Sequence, residues 1–253
     1  MLSDNQSYIT LIGEGDKLLS GKKYSESINK YEQAQIYEKK YTGTEYSKEF
    51  DKRASSKIEA AKEAEREAAA EYAKYKGHEW VDLGLPSGIK WATCNVGASR
   101  PEEYGDYFAW GETTTKETYT EANCATYNVS MNDISGNAQY DAATANWGGS
   151  WRMPTKNELN ELINNCTWTW TTQNGVNGYN VEGPNGNSIF LPAAGDRLGP
   201  SLYCAGIYGI YWSSTPYEND GGYGAYYFGF ENDSHHMARA GRYYGQSVRP
   251  VLE

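Results

Sequence analysis

Cysteines stand at 94, 124, 166 and 204, tens of residues apart and without a Cys-x-x-Cys pair. Zinc sites and redox motifs need close ligand pairs, so neither is expected. Disulfides, if the chain is exported, and buried thiols both remain open. His235 and His236 are adjacent, and neighbours on a strand point to opposite faces, so a histidine chelate is not expected. Oxygen ligands for calcium are on offer from Glu218, Asn219 and Asp220 and from Asn232 and Asp233, but at no diagnostic spacing. A different chemistry is better supplied. From Gly195 onward the chain holds nine of its 23 tyrosines, ten of its 27 glycines, two of its three histidines and no lysine. Tyrosine brings broad amphipathic contact area on few rotors, and glycine, serine and asparagine bring adaptable polar contact. That is the chemistry of recognition surfaces.

Two regions must position these residues. All eight tryptophans lie at or after Trp80 and all eight prolines at or after Pro86, so the chain changes character near Lys76-Gly77. Residues 1–77 are rich in Ala, Glu, Lys and Tyr and are read as helical. Leu11, Gly15 and Leu18, followed by Ser27, Tyr31 and Ala34, resemble one tetratricopeptide repeat over Tyr8 to Lys39, with small residues where two helices cross. A long helix is expected from Tyr46 to Lys76, with a thin stripe of Ile58, Ala61, Ala68 and Tyr72 and an otherwise charged surface. One repeat buries little, so homo-oligomer formation through this region is one way to cover it.

Residues 78–253 read as short antiparallel strands. A hairpin is expected about Pro86-Ser87-Gly88, and WTWTT, YNVEG and NSIFLP are separated by turn signals. Thr155 and Glu158 form a capping box, and Leu159, Leu162 and Ile163 give that helix its buried stripe. The predicted class is therefore α+β, an all-α helical hairpin with a long helix followed by a strand-rich domain.

A formal charge of -10 argues against a nucleic-acid partner, which would favour a basic patch. No apolar run reaches the roughly 20 residues needed to span a membrane. The start, MLSDNQSYIT, reads as no secretory leader. No cofactor is expected.

Several phrases in the second region carry a resemblance: VDLGLPSGIKWATCNVGASRPEEYGDYFAWGE, WGGSWRMPTKNELNELINNC, GPNGNSIFLPAAG, YWSSTP and SVRPV. From about Glu79 to Val251 the chain resembles the Fibrobacter-type major paralogous domain, common in gut Bacteroidetes. The resemblance implies a C-type lectin-like fold, shared with formylglycine-generating enzymes and with the variable proteins of diversity-generating retroelements, some carried by phage. In those systems adenines near the gene's 3′ end are randomised. Randomised Asn codons cannot give Lys, Gln, Glu, Trp or Met. Pro200, Cys204, Ile207, Ile210, His235, Ala238 and Ala240 fit that set. Trp212, Met237 and Gln246 do not and should be scaffold, and Glu231 also falls outside it. The scaffold tryptophans Trp91, Trp110, Trp151 and Trp212 should be core, their indole N–H groups holding loop carbonyls. Arg152 and Arg249 should pair with carboxylates such as Asp106 or Glu112.

The resemblance implies a non-enzymatic ligand-binding or adhesion protein with a variable region at about 195–251, recognising a protein or glycan on a cell surface. The expected contact residues are Tyr203, Tyr208, Ile210, Tyr217, Asn219, Asp220, Tyr223, Tyr227, His236, Ala238, Ala240, Tyr243 and Tyr244. Within AYYFGFE, Tyr226, Phe228 and Phe230 should face the core and Tyr227 should point outward. Alternatives are a calcium-dependent lectin and an enzyme of the formylglycine-generating type; the latter uses a reactive cysteine pair, whereas here Cys204 stands alone in a Tyr/Gly loop and Cys166 ends a helix.

Overall fold

The computed structural model describes residues 2–50, 52–218 and 220–253, and divides into two compact units, residues 1–74 and 75–253. The class is α+β: helices in the first unit, and several small antiparallel sheets with short helices in the second.

In the first unit α1 (Leu2–Ser20) and α2 (Tyr24–Tyr41) form a hairpin, against which α3 (Arg53–Lys74) packs. Close approach is made where the small residues stand. A Cβ on Gly15 would lie 2.3 Å from the Tyr31 ring, and the Ser27 hydroxyl donates to the Gly15 carbonyl at 2.9 Å. Buried Glu38 ties the three helices together, accepting from the Tyr8 hydroxyl and the Ala54 N–H, each at 2.7 Å. The third helix starts later than its composition suggests. Ser47–Glu49 forms a 3-10 turn, Lys52 takes a left-handed φ of 61°, and Phe50 turns inward to stack on Tyr41 at 4.4 Å. Burying Phe50 outweighs continuing the helix through weak local propensity. Ile58 and Ala61 are buried, but the apolar stripe does not continue to Tyr72, which is 56% exposed.

In the second unit β1 (Trp80–Asp82), β2 (Lys90–Ala92) and β11 (Val251–Leu252) join the start of the unit to the end of the chain. A second sheet is formed by β3 (Thr167–Gln173), β4 (Val176–Glu182) and β5 (Ser188–Pro192). A two-stranded hairpin follows, β6 (Asp196–Leu198) and β7 (Ser201–Tyr203). The fourth sheet is β8 (Gly209–Pro216), β9 (Gly224–Glu231) and β10 (Ser234–Gly241), with β9 in the middle. Helix α5 (Lys156–Asn165) carries the expected capping box, the Thr155 hydroxyl accepting from the Glu158 N–H and the Glu158 carboxylate from the Thr155 N–H. A further short helix, α4 (Ala142–Trp147), is capped by Asp141 and was not legible as a helix.

Trp91, Trp110, Trp151 and Trp212 are fully buried. Three of their indoles donate to carbonyls: Trp110 to Ser213 at 2.9 Å, Trp151 to Tyr75 at 3.0 Å and Trp212 to Phe108 at 2.8 Å. The arginines meet the expectation of a carboxylate partner in one case of two. Arg152 makes a two-pronged pair with Glu158, at 2.7 and 2.8 Å, because the capping glutamate lies beside it. Arg249, fully buried, meets no carboxylate among the described residues; its fork is spent on Asn95 and the carbonyls of Ala92, Thr93 and Phe190. Carbonyl dipoles from two segments, residues 92–95 and Phe190, satisfy the charge there, with no counter-ion to desolvate.

Candidate functional site

The β8–β10 sheet places five of the thirteen expected residues by register alone: Ile210, Tyr227, His236, Ala238 and Ala240. Tyr211 pairs with Phe228, and Phe228 with Met237; Trp212 pairs with Tyr227, and Tyr227 with Ala238. Residues paired across an antiparallel sheet project to one side, and neighbours along a strand to opposite sides. One face therefore carries Tyr211, Phe228, Phe230 and Met237, which pack into the core cluster around Trp91. The other carries Ile210, Trp212, Ala225, Tyr227, Gly229, His236, Ala238 and Ala240.

That second face is covered only in part. Trp212 and Ala225 are buried in the core cluster with Trp110 and Trp151, and Tyr227 and Ala240 pack half-buried against it. Ile210 and Ala238 are half-buried and His236 is exposed. Tyr227 thus has the expected parity but not full exposure: its ring meets Trp212 edge-on at 6.4 Å, because this sheet is an inner layer with a core on each side. The ring lies across Gly229, where a Cβ would come within 2.9 Å of it and 3.7 Å of the His236 imidazole. Tyr208, just ahead of β8, joins the Glu231 carboxylate through its hydroxyl, which raises the Tyr208 pKa. His235, of opposite parity, stacks on Trp168 at 4.7 Å, and its burial lowers its pKa.

The β6–β7 hairpin rims this face. Tyr203, Leu202, Leu198 and the following Ile207 are all exposed. Asp196 is fixed on both sides by backbone: the Gly195 N–H donates to Tyr208 at 2.7 Å, and Arg197 and Gly245 exchange bonds of 2.7 and 3.0 Å. Its charge acts on Tyr227, and the Arg197–Gly245 bridge brings the chain next to Tyr244 to the same end of the hairpin. Burial lifts the Asp196 carboxyl above the ordinary aspartate value.

The remaining expected residues gather at the other end of β9. Tyr223 and Tyr243 each meet Tyr127 edge-on, at 5.1 and 5.4 Å, and with Asp220, Ala240 and Arg239 they wall a cavity of about 220 Å³. Tyr217 lies under the Arg239 guanidinium at 4.4 Å. Tyr243 stacks on Tyr244 at 4.8 Å and so links the two groups; burial pushes the Tyr243 hydroxyl up to about 12. Asn219 lies outside the described residues. The sequence reading missed Asp196 and Tyr127. Asp196 had no signal beyond its place at the head of the tail, and Tyr127 comes from a distant loop with no periodic pattern.

The alternative chemistries find less support. Asp220 stands before β9 and Asn232 and Asp233 after it, so the eight residues of β9 separate them by roughly 25 Å. Asp220 already accepts from the N–H groups of Gly222 and Tyr223, each at 3.1 Å. All four cysteines are free, and burial raises the Cys166 thiol to about 11, the opposite of what a reactive thiolate needs. Among the described residues no helix is long and apolar enough to cross a membrane. No family model, no curated protein and no solved structure matches this chain.

Proposed function

We propose that the second unit is a binding module of C-type lectin-like fold whose ligand surface is the half-open face of the β8–β10 sheet with its flanking hairpin. The observation that carries this reading is the shared face itself. Ile210, Tyr227, His236, Ala238 and Ala240 project to one side of the sheet, and the flanking hairpin adds exposed Leu198 and Tyr203, which share one of its sides, and the following Ile207. Apolar and aromatic groups gathered on one surface are a mark of partner contact. The chemistry is non-enzymatic adhesion or receptor binding, with a protein or glycan on a cell surface as ligand. Labelled protein should bind a subset of intact bacterial cells or arrayed glycans, and residues 75–253 alone should retain that selectivity. Uniform absence of binding across both panels contradicts the reading.

The resemblance extends the proposal to diversification of residues 195–251 by a retroelement. Pro200, Cys204 and Ile207 are exposed, while Trp212 and Gln246, unreachable from randomised Asn codons, are buried. A near-repeat of this DNA beside a reverse transcriptase gene is the expected finding; absence of both removes the diversification claim and leaves the binding claim standing. The helical unit would anchor or multimerise the module. Ile9 is 49% and Ile36 63% exposed there, apolar surface that self-association would cover. Light scattering should give the whole chain a multiple of its monomer mass and residues 75–253 a single one; monomeric mass for both removes the idea.

A further inference from the structure

The half-open face holds a charge that the chain itself leaves unmatched. Asp196 is half-buried, and its carboxylate has no ion pair and no side-chain hydrogen bond to another residue among the described residues. A desolvated carboxylate without a counter-ion is costly, and such groups are ordinarily paired. The four arginines that follow it in the chain are engaged elsewhere. Arg197 lies over the Tyr107 ring at 5.1 Å and Arg239 over Tyr217 at 4.4 Å. Arg242 and Arg249 are buried and spent on backbone carbonyls and Asn95. The chain has no lysine after Lys156. The carboxylate is nonetheless held firmly, between the backbone bridges of Gly195 to Gly209 and Arg197 to Gly245. Tyr203 is its register partner across the hairpin, its charge reaches Tyr227, and the Arg197–Gly245 bridge sets the neighbouring Tyr244 at the same end.

We propose that this corner receives an arginine or lysine side chain from a protein ligand, its charge on Asp196 and its stem against the tyrosine rings. Aromatic faces attract cations, and a carboxylate beside them supplies the directional, charge-assisted bond. Glu231, on the same face, adds to the negative potential. A neutral glycan would leave the carboxylate uncompensated, so the charge favours a protein partner. The proposal rests on the reading of this face as the ligand surface and names the group that surface selects.

The test is a titration of the full chain with N-acetyl-arginine amide and with its uncharged isostere N-acetyl-citrulline amide, followed by the tyrosine ring resonances. The arginine probe should shift Tyr227 and Tyr244 saturably and bind roughly tenfold more tightly than the citrulline probe, the scale of a charge-assisted bond. Asp196→Asn should abolish that preference. Equal response to the two probes, no response to either, or a preference that survives Asp196→Asn overturns the proposal; the native probe ratio decides even if the variant fails to fold. Cell binding that persists with no arginine preference removes this inference alone, whereas absence of all cell and glycan binding removes the reading beneath it.

Discussion

The carboxylate of Asp196 and the ring of Tyr227 each bear a consequence that can be measured without knowing the ligand. Because burial raises the Asp196 pKa, the folded state binds its proton more tightly than the unfolded state does. The stability this contributes is complete below the ordinary aspartate value and is lost as pH rises through the raised one. Asp196→Asn, which imitates the neutral form, should therefore raise the urea midpoint at neutral pH and leave it unchanged in acid below the aspartate range. A gain of equal size in both would place its cause outside the carboxylate. Tyr227, half-buried against Trp212, should cost about 1–3 kcal/mol when cut to Ala and much less when changed to Phe. An unchanged denaturation midpoint for Tyr227→Ala would show that the ring is free on the surface. At this scale the buried tryptophans were legible, since a large apolar body in a domain with little helix has few other places to go. The partners of Arg152 and Arg249 were not, because they are set by which loops meet.

Short-range signals told most about the elements. The Thr155–Glu158 box lies within four residues, and both of its bonds are made. Thr155→Ala should cost about 1 kcal/mol, as a lost N-cap does, and a denaturant midpoint equal to the native one would contradict that role for Thr155. Signals that depend on tertiary burial were less legible. Composition favours helix from Tyr46 onward, yet Phe50 leaves the helical path to stack on Tyr41. Alternation along β9 separated its two faces by parity, but it assumed one core, and Tyr226, expected to face it, lies half-buried under the Lys156 ammonium at 3.6 Å, outside the core that holds Phe228 and Phe230. The sheet has a core on each side, Tyr211, Phe228 and Phe230 in one and Trp212 and Ala225 in the other. Parity gives the direction of a side chain and not what covers it.

The composition change at Lys76-Gly77 and the division of contacts after Lys74 fall close together, and the small difference matters for cutting the chain. Tyr75 is buried, meets Trp80 and Trp151 edge-on, each at 6.2 Å, and its carbonyl accepts from the Trp151 indole at 3.0 Å. Residues 75–253 should unfold in one cooperative thermal transition, and a fragment starting at Gly77 should melt lower. Equal melting of the two would show that Tyr75 contributes nothing to the core. The central claim, that one face of the β8–β10 sheet takes the ligand, is tested most directly by placing the same bulky charge on two surfaces. Ala238 lies on that face, on the outer strand β10; Thr169 is exposed on β3, in a different sheet. With melting temperatures matched to the native protein, Ala238→Arg should abolish binding to the cells or glycans that the native chain recognises, and Thr169→Arg should leave it intact. Undiminished binding by Ala238→Arg would contradict the account.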